Sequence, residues 1–263
     1  MIPYVGGKSK LAPWIISHFP KQYSNLTYCE VFGGGGWVLF KKDLSYLEVY
    51  NDLNTNLVNL FRTIRDNFDI FSHKAQWTLH SREMCKEAVL KLKSNTNMLS
   101  IDEALYTAIK YSQSFSGKDG WTHILSSSNY SSGKWTPFLK RMYLINARLK
   151  RVQIECLGYQ QFIKKYDSPQ TLFYLDPPYV GKEYYYNTPS VQFSSEDHKV
   201  LAELLSTIQG KFLLSYYDNT YIKKLYSGYR TSELTVRKTS VRISRNGKLT
   251  KRPQARELLI LNY

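Results

Sequence analysis

The chain has 263 residues, 43% of them hydrophobic, and its 36 lysines and arginines outnumber 21 aspartates and glutamates to give a formal net charge of +15. That length suits one α/β domain with a sizeable insertion, and no apolar run approaches the roughly 20 residues of a membrane span. So positive a surface attracts polyanions and points to nucleic acid ahead of an anionic membrane, while Cys29, Cys85, Cys156 and five scattered histidines lack the paired spacing of a zinc site or a disulfide framework.

The opening Met1-Ile2-Pro3-Tyr4 has neither the basic start nor the hydrophobic stretch of a signal peptide, so a soluble cytoplasmic protein is expected. Tyr4-Val5-Gly6-Gly7-Lys8 precedes a helical pattern at Leu11, Trp14, Ile15, Ile16 and Phe19. Two glycines leading into a helix make a backbone anion site, to which Lys8 adds charge. A strand is predicted over Leu26 to Phe32, then Gly33-Gly34-Gly35-Gly36 and a helix starting at Trp37-Val38-Leu39-Phe40. Strand, glycine turn and helix are the layout of a nucleotide pocket, although these glycines do not match the G-x-G-x-x-G spacing and also suit a plain tight turn. The next strand, Tyr46 to Tyr50, ends in Asn51-Asp52, where an acidic side chain can hold ribose hydroxyls or cap a helix starting near Leu53.

From Leu57 to Arg148 apolar residues recur at helical spacing: Leu57, Leu60, Phe61 and Ile64, then Ala88-Val89-Leu90, then Ala104-Leu105 and Ala108-Ile109. A mostly helical insertion is implied. Within it, Ser114 to Phe138 is polar, marked by glycines and studded with aromatics and lysines, which suits a hairpin or loop probing a groove as well as an ordinary surface loop. In the first case Ser114, Trp121, Asn129 and Trp135 are candidates for the base side, and Lys118, Lys134, Lys140 and Arg141 for phosphates.

The apolar run Thr171 to Leu175 ends in Asp176-Pro177-Pro178-Tyr179. A strand ending in such a turn presents a carboxylate, a carbonyl freed from sheet pairing and an aromatic face at one point. Those groups suit chemistry on an exocyclic amine, whose two N–H donors an aspartate and a backbone carbonyl can accept while the tyrosine stacks on the ring. The plainer reading is a strand stopped by an Asp-Pro turn. Further on, Ser194 or Ser195 can cap a helix carrying Val200, Leu201, Leu204, Leu205 and Ile208, and Lys211 to Tyr216 reads as a strand. Thr235-Val236-Arg237 and Val241 to Ser244 alternate, Asn246-Gly247 makes a turn, and Glu257 to Leu261 closes the chain as a strand. Between Glu233 and Glu257 there is no acid, but Arg237, Lys238, Arg242, Arg245, Lys248, Lys251, Arg252 and Arg256 are present. Such a hairpin grips a phosphate backbone or protects a sheet edge by charge.

Taken together and in this order, Tyr4 to Lys8, Glu30 to Gly36, Asn51-Asp52 and Asp176 to Tyr179 make the chain resemble the Dam-type (D12 class) DNA N6-adenine methyltransferases over nearly its whole length. The resemblance implies S-adenosylmethionine as methyl donor, double-stranded DNA as partner and no metal. It also implies an α/β fold: a Rossmann-like, seven-stranded mixed methyltransferase sheet with a mostly helical inserted target-recognition domain. The catalytic domain would comprise 1–56 and 149–263, and the recognition insertion 57–148, with a hairpin or loop around 114–138.

Carried over by position, Tyr4, Gly7 and Lys8 would border the donor. Phe32, Gly33, Gly34 and Gly35 would lie against its methionine part, with Glu30 among the donor-binding residues. Asp52 would hold the ribose, and Tyr159 would wall the donor adenine. Asp176, also counted among the donor-binding residues, and the Pro177 carbonyl would accept the N6 hydrogens, Pro178 would shape the turn, and Tyr179 would stack on an adenine flipped out of the duplex. Arg242, Arg245 and Lys248 would meet phosphates. Gly158 departs from the pattern, since many relatives carry a polar or acidic residue there, and Ser114 to Phe138 does not reproduce the arginine-containing loop that reads GATC. RNA adenine methylation, cytosine N4 methylation and a catalytically silent DNA-binding protein are the alternatives. A restriction endonuclease is a further potential counterpart.

Overall fold

A computed structural model describes residues 2, 4, 6–94, 100–114, 135–185, 193–237 and 254–263. Its seven strands are β1 (Thr27–Glu30), β2 (Leu47–Asn51), β3 (Val152–Glu155), β4 (Thr171–Leu175), β5 (Lys211–Tyr217), β6 (Arg230–Arg237) and β7 (Gln254–Leu261). They make one mixed sheet in the order β3-β2-β1-β4-β5-β7-β6, the strand number that the resemblance implied. The chain divides into two compact units, Met1–His18 with Gly33–Gly158 and Phe19–Phe32 with Tyr159–Tyr263.

In the first unit β2 and β3 run parallel, with Glu48 opposite Val152 and Asn51 opposite Glu155. Among its described residues seven helices accompany them: α1 (Ala12–Ser17), α2 (Trp37–Lys41), α3 (Thr55–Asp66), α4 (Phe68–Gln76), α5 (Arg82–Lys93), α6 (Ile101–Gln113) and α7 (Trp135–Leu149). α3 buries Leu57, Leu60, Phe61 and Ile64, the spacing seen in the sequence. It begins at Thr55 rather than near Leu53, because the Asn54 side chain accepts from the backbone N–H groups of Asn56 and Leu57 and is the cap. Ser100 and Glu103 close α6 with a reciprocal capping box. A buried ion triad fixes α7 to the start of β2, since Lys42 Nζ and Arg148 Nη2 lie 2.5 and 2.7 Å from the same Glu48 oxygen. Removing either cation would leave a buried carboxylate undercompensated, and such losses typically cost about 3–5 kcal/mol.

In the second unit β1, β4 and β5 are parallel, with Glu30 opposite Tyr174 and Leu175 opposite Leu214. β7 runs antiparallel to both β5 and β6. Every residue of β4 is buried, which is why it reads as a continuous apolar run without alternation. Helices α8 (Tyr159–Tyr166), α9 (Asp197–Leu205) and α10 (Thr220–Leu225) belong to this unit. The cap position of α9 is Glu196, which makes no side-chain cap bond, rather than Ser194 or Ser195 as expected. Ser194 lies three residues before Asp197, donating its N–H and hydroxyl to the Asp197 carboxylate and accepting from the Asp197 N–H at 3.4 Å. The last stretch of the expected 114–138 loop is helical, since Trp135 to Phe138 open α7. Residues 115–134 and the Asn246-Gly247 turn lie outside the described residues. Among the described residues no helix is long and apolar enough to cross a membrane, and no group of three metal-ligating side chains occurs.

Candidate active site

In the first unit, the glycine loop after β1 is tied to the end of β2. Gly33 N–H donates to the Asn51 carbonyl at 2.8 Å, and the Tyr50 hydroxyl donates to the Gly34 carbonyl at 2.8 Å. Gly33 lies flat against the Tyr50 ring, where an added Cβ would come within 2.1 Å of it. Gly34 is held at φ +49° against the Tyr4 ring, a backbone that side-chain-bearing residues rarely adopt. These glycines are thus demanded by close aromatic packing. Asp52 completes the loop, with one carboxylate oxygen accepting from Gly34 N–H at 2.7 Å and the other from Asn54 N–H at 2.8 Å. Dense packing around this half-buried carboxylate pushes its pKa up, against the lowering pull of those two N–H donors. Each oxygen keeps a lone pair beyond the bond it already accepts.

Gly6 and Gly7 correct one expectation. They form a turn closed by Gly7 N–H on the Tyr4 carbonyl at 3.1 Å, while α1 starts only at Ala12 with Leu11 before it. No glycine amide therefore sits at that helix end. Lys8 is buried, and its ammonium donates to the Gly6 carbonyl at 3.1 Å. At the far side of the loop, the Asn51 amide pins Leu157 by both its N–H and its carbonyl, at 2.9 and 3.0 Å. A side chain at the neighbouring Gly158 would meet nothing within 4 Å.

In the second unit, the ends of the parallel strands β1 and β4 carry the other candidates. Glu30 is buried at the end of β1 and accepts from the Tyr28 hydroxyl at 2.8 Å. Phe32, Tyr159 and Phe193 form a triangle of rings with centroids 5.7 to 5.9 Å apart. The Tyr159 hydroxyl donates to Asp197 at 2.9 Å, and burial together with this carboxylate raises the phenol's pKa. Asp197 also accepts from the Ser194 N–H and hydroxyl. Burial would push that carboxyl up, but these three donors hold it below the usual range.

Past β4, Asp176 is half-buried and Pro177, Pro178 and Tyr179 are buried. The turn is closed by Lys182 N–H on the Tyr179 carbonyl at 2.8 Å. Gly181, at φ +73°, turns its N–H to Glu183, whose same oxygen meets His198 Nε2 at 3.0 Å. The Tyr179 ring stands edge-on to Tyr217 at 4.5 Å and tilted to Tyr216 at 5.6 Å. Burial raises the pKa of Tyr174, Tyr179 and Tyr216, and the Asp176 charge adds to it in all three. Asp176 is therefore a half-buried carboxylate whose charge is felt by three buried tyrosine hydroxyls, an arrangement able to accept hydrogens from a planar amine.

Residues 4–241 match the family described as D12 class N6 adenine-specific DNA methyltransferase. The chain belongs to this family. A relative named DNA adenine methylase from Vibrio cholerae serotype O1 is 26% identical, over 94% of this chain and 90% of its own length. The protein named Type II methyltransferase M1.LlaDCHI, from Lactococcus lactis subsp. cremoris, is 23% identical over 99% and 94%. Modification methylase StsI from Streptococcus sanguinis is 24% identical over 77% of this chain and 32% of its own length.

This D12 methyltransferase is thus an adenine-specific DNA-modifying transferase, and its structure adds residues that sequence reasoning missed. Phe193, Asp197, Glu183, His198 and Glu257 brace the tyrosines of the candidate site, and only the serine just before Asp197 had a local signal. Among the expected DNA contacts, Lys140 and Arg141 are exposed on α7. Ser114 and Trp135 are buried instead, each 2% exposed. Trp135 packs on Phe138 and donates its indole N–H to the Thr78 carbonyl at 3.2 Å, while Gln113 donates to the adjacent Leu79 carbonyl at 3.1 Å. The two flanks of the 115–134 segment are therefore anchored on one turn. Lys118, Trp121, Asn129, Lys134, Arg242, Arg245 and Lys248 lie outside the described residues.

Proposed function

We propose that this methyltransferase moves a methyl group from S-adenosylmethionine to the N6 amine of an adenine flipped out of double-stranded DNA. The observation that carries the reading is the Asp176-Pro177-Pro178-Tyr179 turn at the buried end of β4, where a half-buried carboxylate is followed by a buried tyrosine ring whose hydroxyl feels its charge. In the proposed mechanism Asp176 and the Pro177 carbonyl accept the two N6 hydrogens, localising the amine lone pair, while Pro178 shapes the turn and Tyr179 stacks on the base. Positioning and electrostatics then supply most of the rate, because attack on a sulfonium methyl needs only in-line approach.

The residues present fit such a donor. Asp52 offers a lone pair on each oxygen to the ribose diol, held in place by Gly34 and Asn54. The Phe32, Tyr159 and Phe193 rings offer an aromatic wall to the donor adenine. Tyr4, Gly7, Lys8, Glu30, Gly33 and Gly35 are assigned to the same donor by their place in the motifs, and the donor supplies the electrophilic methyl group. Residues 1–56 with 149–263 act as catalytic domain, and 57–148 as target-recognition insertion. Lys118, Lys134, Lys140 and Arg141 meet phosphates there, while Trp121 and Asn129 face the bases and Ser114 and Trp135 support them. Arg242, Arg245 and Lys248 add to the phosphate grip, and the net charge of +15 supports that assignment. The names of the Lactococcus and Streptococcus relatives support a modification role with a restriction endonuclease as counterpart. The enzyme would act in the cytoplasm of a bacterial or phage-infected cell.

The test is tritium transfer from labelled S-adenosylmethionine to duplex DNA, with the product nucleoside separated by chromatography. Label in N6-methyladenine from DNA is expected. Label only in RNA, or in N4-methylcytosine, would sink the reading.

A further inference from the structure

Strand β7 carries one acid in an otherwise apolar run, Glu257 followed by Leu258, Leu259, Ile260 and Leu261, and all five are buried. Burying a carboxylate in such a strand is unfavourable unless a donor compensates it. The Tyr179 hydroxyl is such a donor, 2.9 Å from the Glu257 Oε2. The antiparallel register of β5 and β7 pairs Glu257 with Tyr217. Directly opposed residues of such a pair project to the same face of the sheet. Tyr217 is also the residue whose ring meets Tyr179 edge-on at 4.5 Å, 80° between planes. One cross-strand pair therefore grips Tyr179 twice, by its hydroxyl and by its ring. A register slip of a single residue would put Leu258 in place of the carboxylate and turn the side-chain faces over.

Tyr179 lies past the end of β4, in a turn rather than a strand, so no sheet pairing of its own fixes its two side-chain torsions. A ring that stacks on a mobile base must be held in one plane beforehand, because stacking energy falls when the plane wanders and the reacting atoms leave line. We propose that Glu257 is a positioning residue of methyl transfer, which with Tyr217 fixes the plane of the Tyr179 ring before the target adenine arrives. This rests on the reading that Tyr179 stacks on that adenine. In this role Glu257 acts on the reaction through Tyr179.

The experiment is a double-mutant cycle of Glu257→Leu and Tyr179→Phe, with Glu257→Gln as the conservative variant, read as kcat and as KM for duplex DNA. A buried hydrogen bond to a charged group sets the scale, so each single variant should lose about tenfold to a hundredfold in kcat, with KM shifting less. The double variant should be no worse than the poorer single one, since both remove one link. Glu257→Gln, which still offers an acceptor, should recover most of the rate. Losses that multiply in the double variant would overturn the proposal, because Glu257 would then act independently of the hydroxyl. If Glu257→Leu does not fold, Tyr179→Phe removes only one oxygen and decides alone: wild-type kcat overturns the proposal and a tenfold loss supports it. Tyr179→Ala is measured alongside. Full activity of that variant would remove the stacking reading itself, whereas an inactive Tyr179→Ala beside multiplying losses would remove only the role of Glu257.

Discussion

Tyr159 and Tyr179 of the second unit are each tied by the hydroxyl to a carboxylate distant in sequence, and the two ties differ in depth. Tyr159 and Asp197 are both half-buried, and Asp197 is shared with Ser194. Tyr179 and Glu257 are 8% and 5% exposed. Where the pair touches solvent, water can replace either partner, so the tie orients a ring without locking it. In the buried pair, removing one partner takes from the other a hydrogen bond made away from water, at a cost of about 1–3 kcal/mol, more where a charge is involved. The contrast matches the proposed roles. A donor must be exchanged after every transfer, so the wall beside it tolerates movement, whereas the target base must be stopped in one plane.

Three substitutions would break or sharpen that contrast. Asp176→Ala removes the carboxylate ahead of the buried Tyr179 and should lower kcat by about a hundredfold to a thousandfold, as loss of a preorganised electrostatic partner does elsewhere, while donor affinity measured by calorimetry holds. Near-normal turnover in this variant would remove Asp176 from the chemistry. Tyr179→Ala and Tyr159→Ala should each lose stacking of about 1–3 kcal/mol, but in different parameters. The first should appear in kcat/KM for DNA, and the second in donor affinity. If both variants moved the same parameter, the division of labour between the two tyrosines would be wrong.

The smallest effect concerns pH and the first unit. The Asp52 pKa is raised from its ordinary value chiefly by burial, and its ionised form is the one that accepts ribose hydroxyls from both oxygens. Above its pKa the site is charged and competent; as pH falls through that raised value the carboxyl protonates and donor affinity should fall several-fold. Titrating donor binding downward from about pH 8 checks this, because the fall should set in at a higher pH than an ordinary aspartate, with a pKa of about 3.9, would give. Asp52→Asn should bind weakly and show a flat profile. A wild-type profile equally flat would exclude a titrating Asp52.

The sequence disclosed what is local. Gly33 to Gly36 after a strand, Asp52 at the end of the next and Asp176 to Tyr179 after an all-apolar run each write their chemistry in adjacent residues, and the helical spacing of Leu57 to Ile64 is equally direct. What it withheld depends on register and on distant pairing. Glu257 stands 78 residues from Tyr179 and Asp197 stands 38 from Tyr159, so neither carboxylate had a neighbour that announced its role. The start of α3 was misplaced for a related reason: Asp52 joins Gly34, 18 residues earlier, to the Asn54 N–H, and Asn54 is the residue whose side chain caps the helix. Trp135 looked like a groove-probing aromatic because its partners Thr78 and Phe138 are, respectively, remote and part of a helix whose start the polar stretch before it concealed.

The central claim is that the Asp176 turn delivers a methyl group to adenine N6 in duplex DNA. The most direct measurement is to express the chain in a host lacking adenine methylation and map N6-methyladenine in its DNA at single-base resolution. The account predicts methylation concentrated in one short sequence motif, absent when Asp176→Ala is expressed instead. An unmodified genome, with folded protein that binds S-adenosylmethionine, would contradict it.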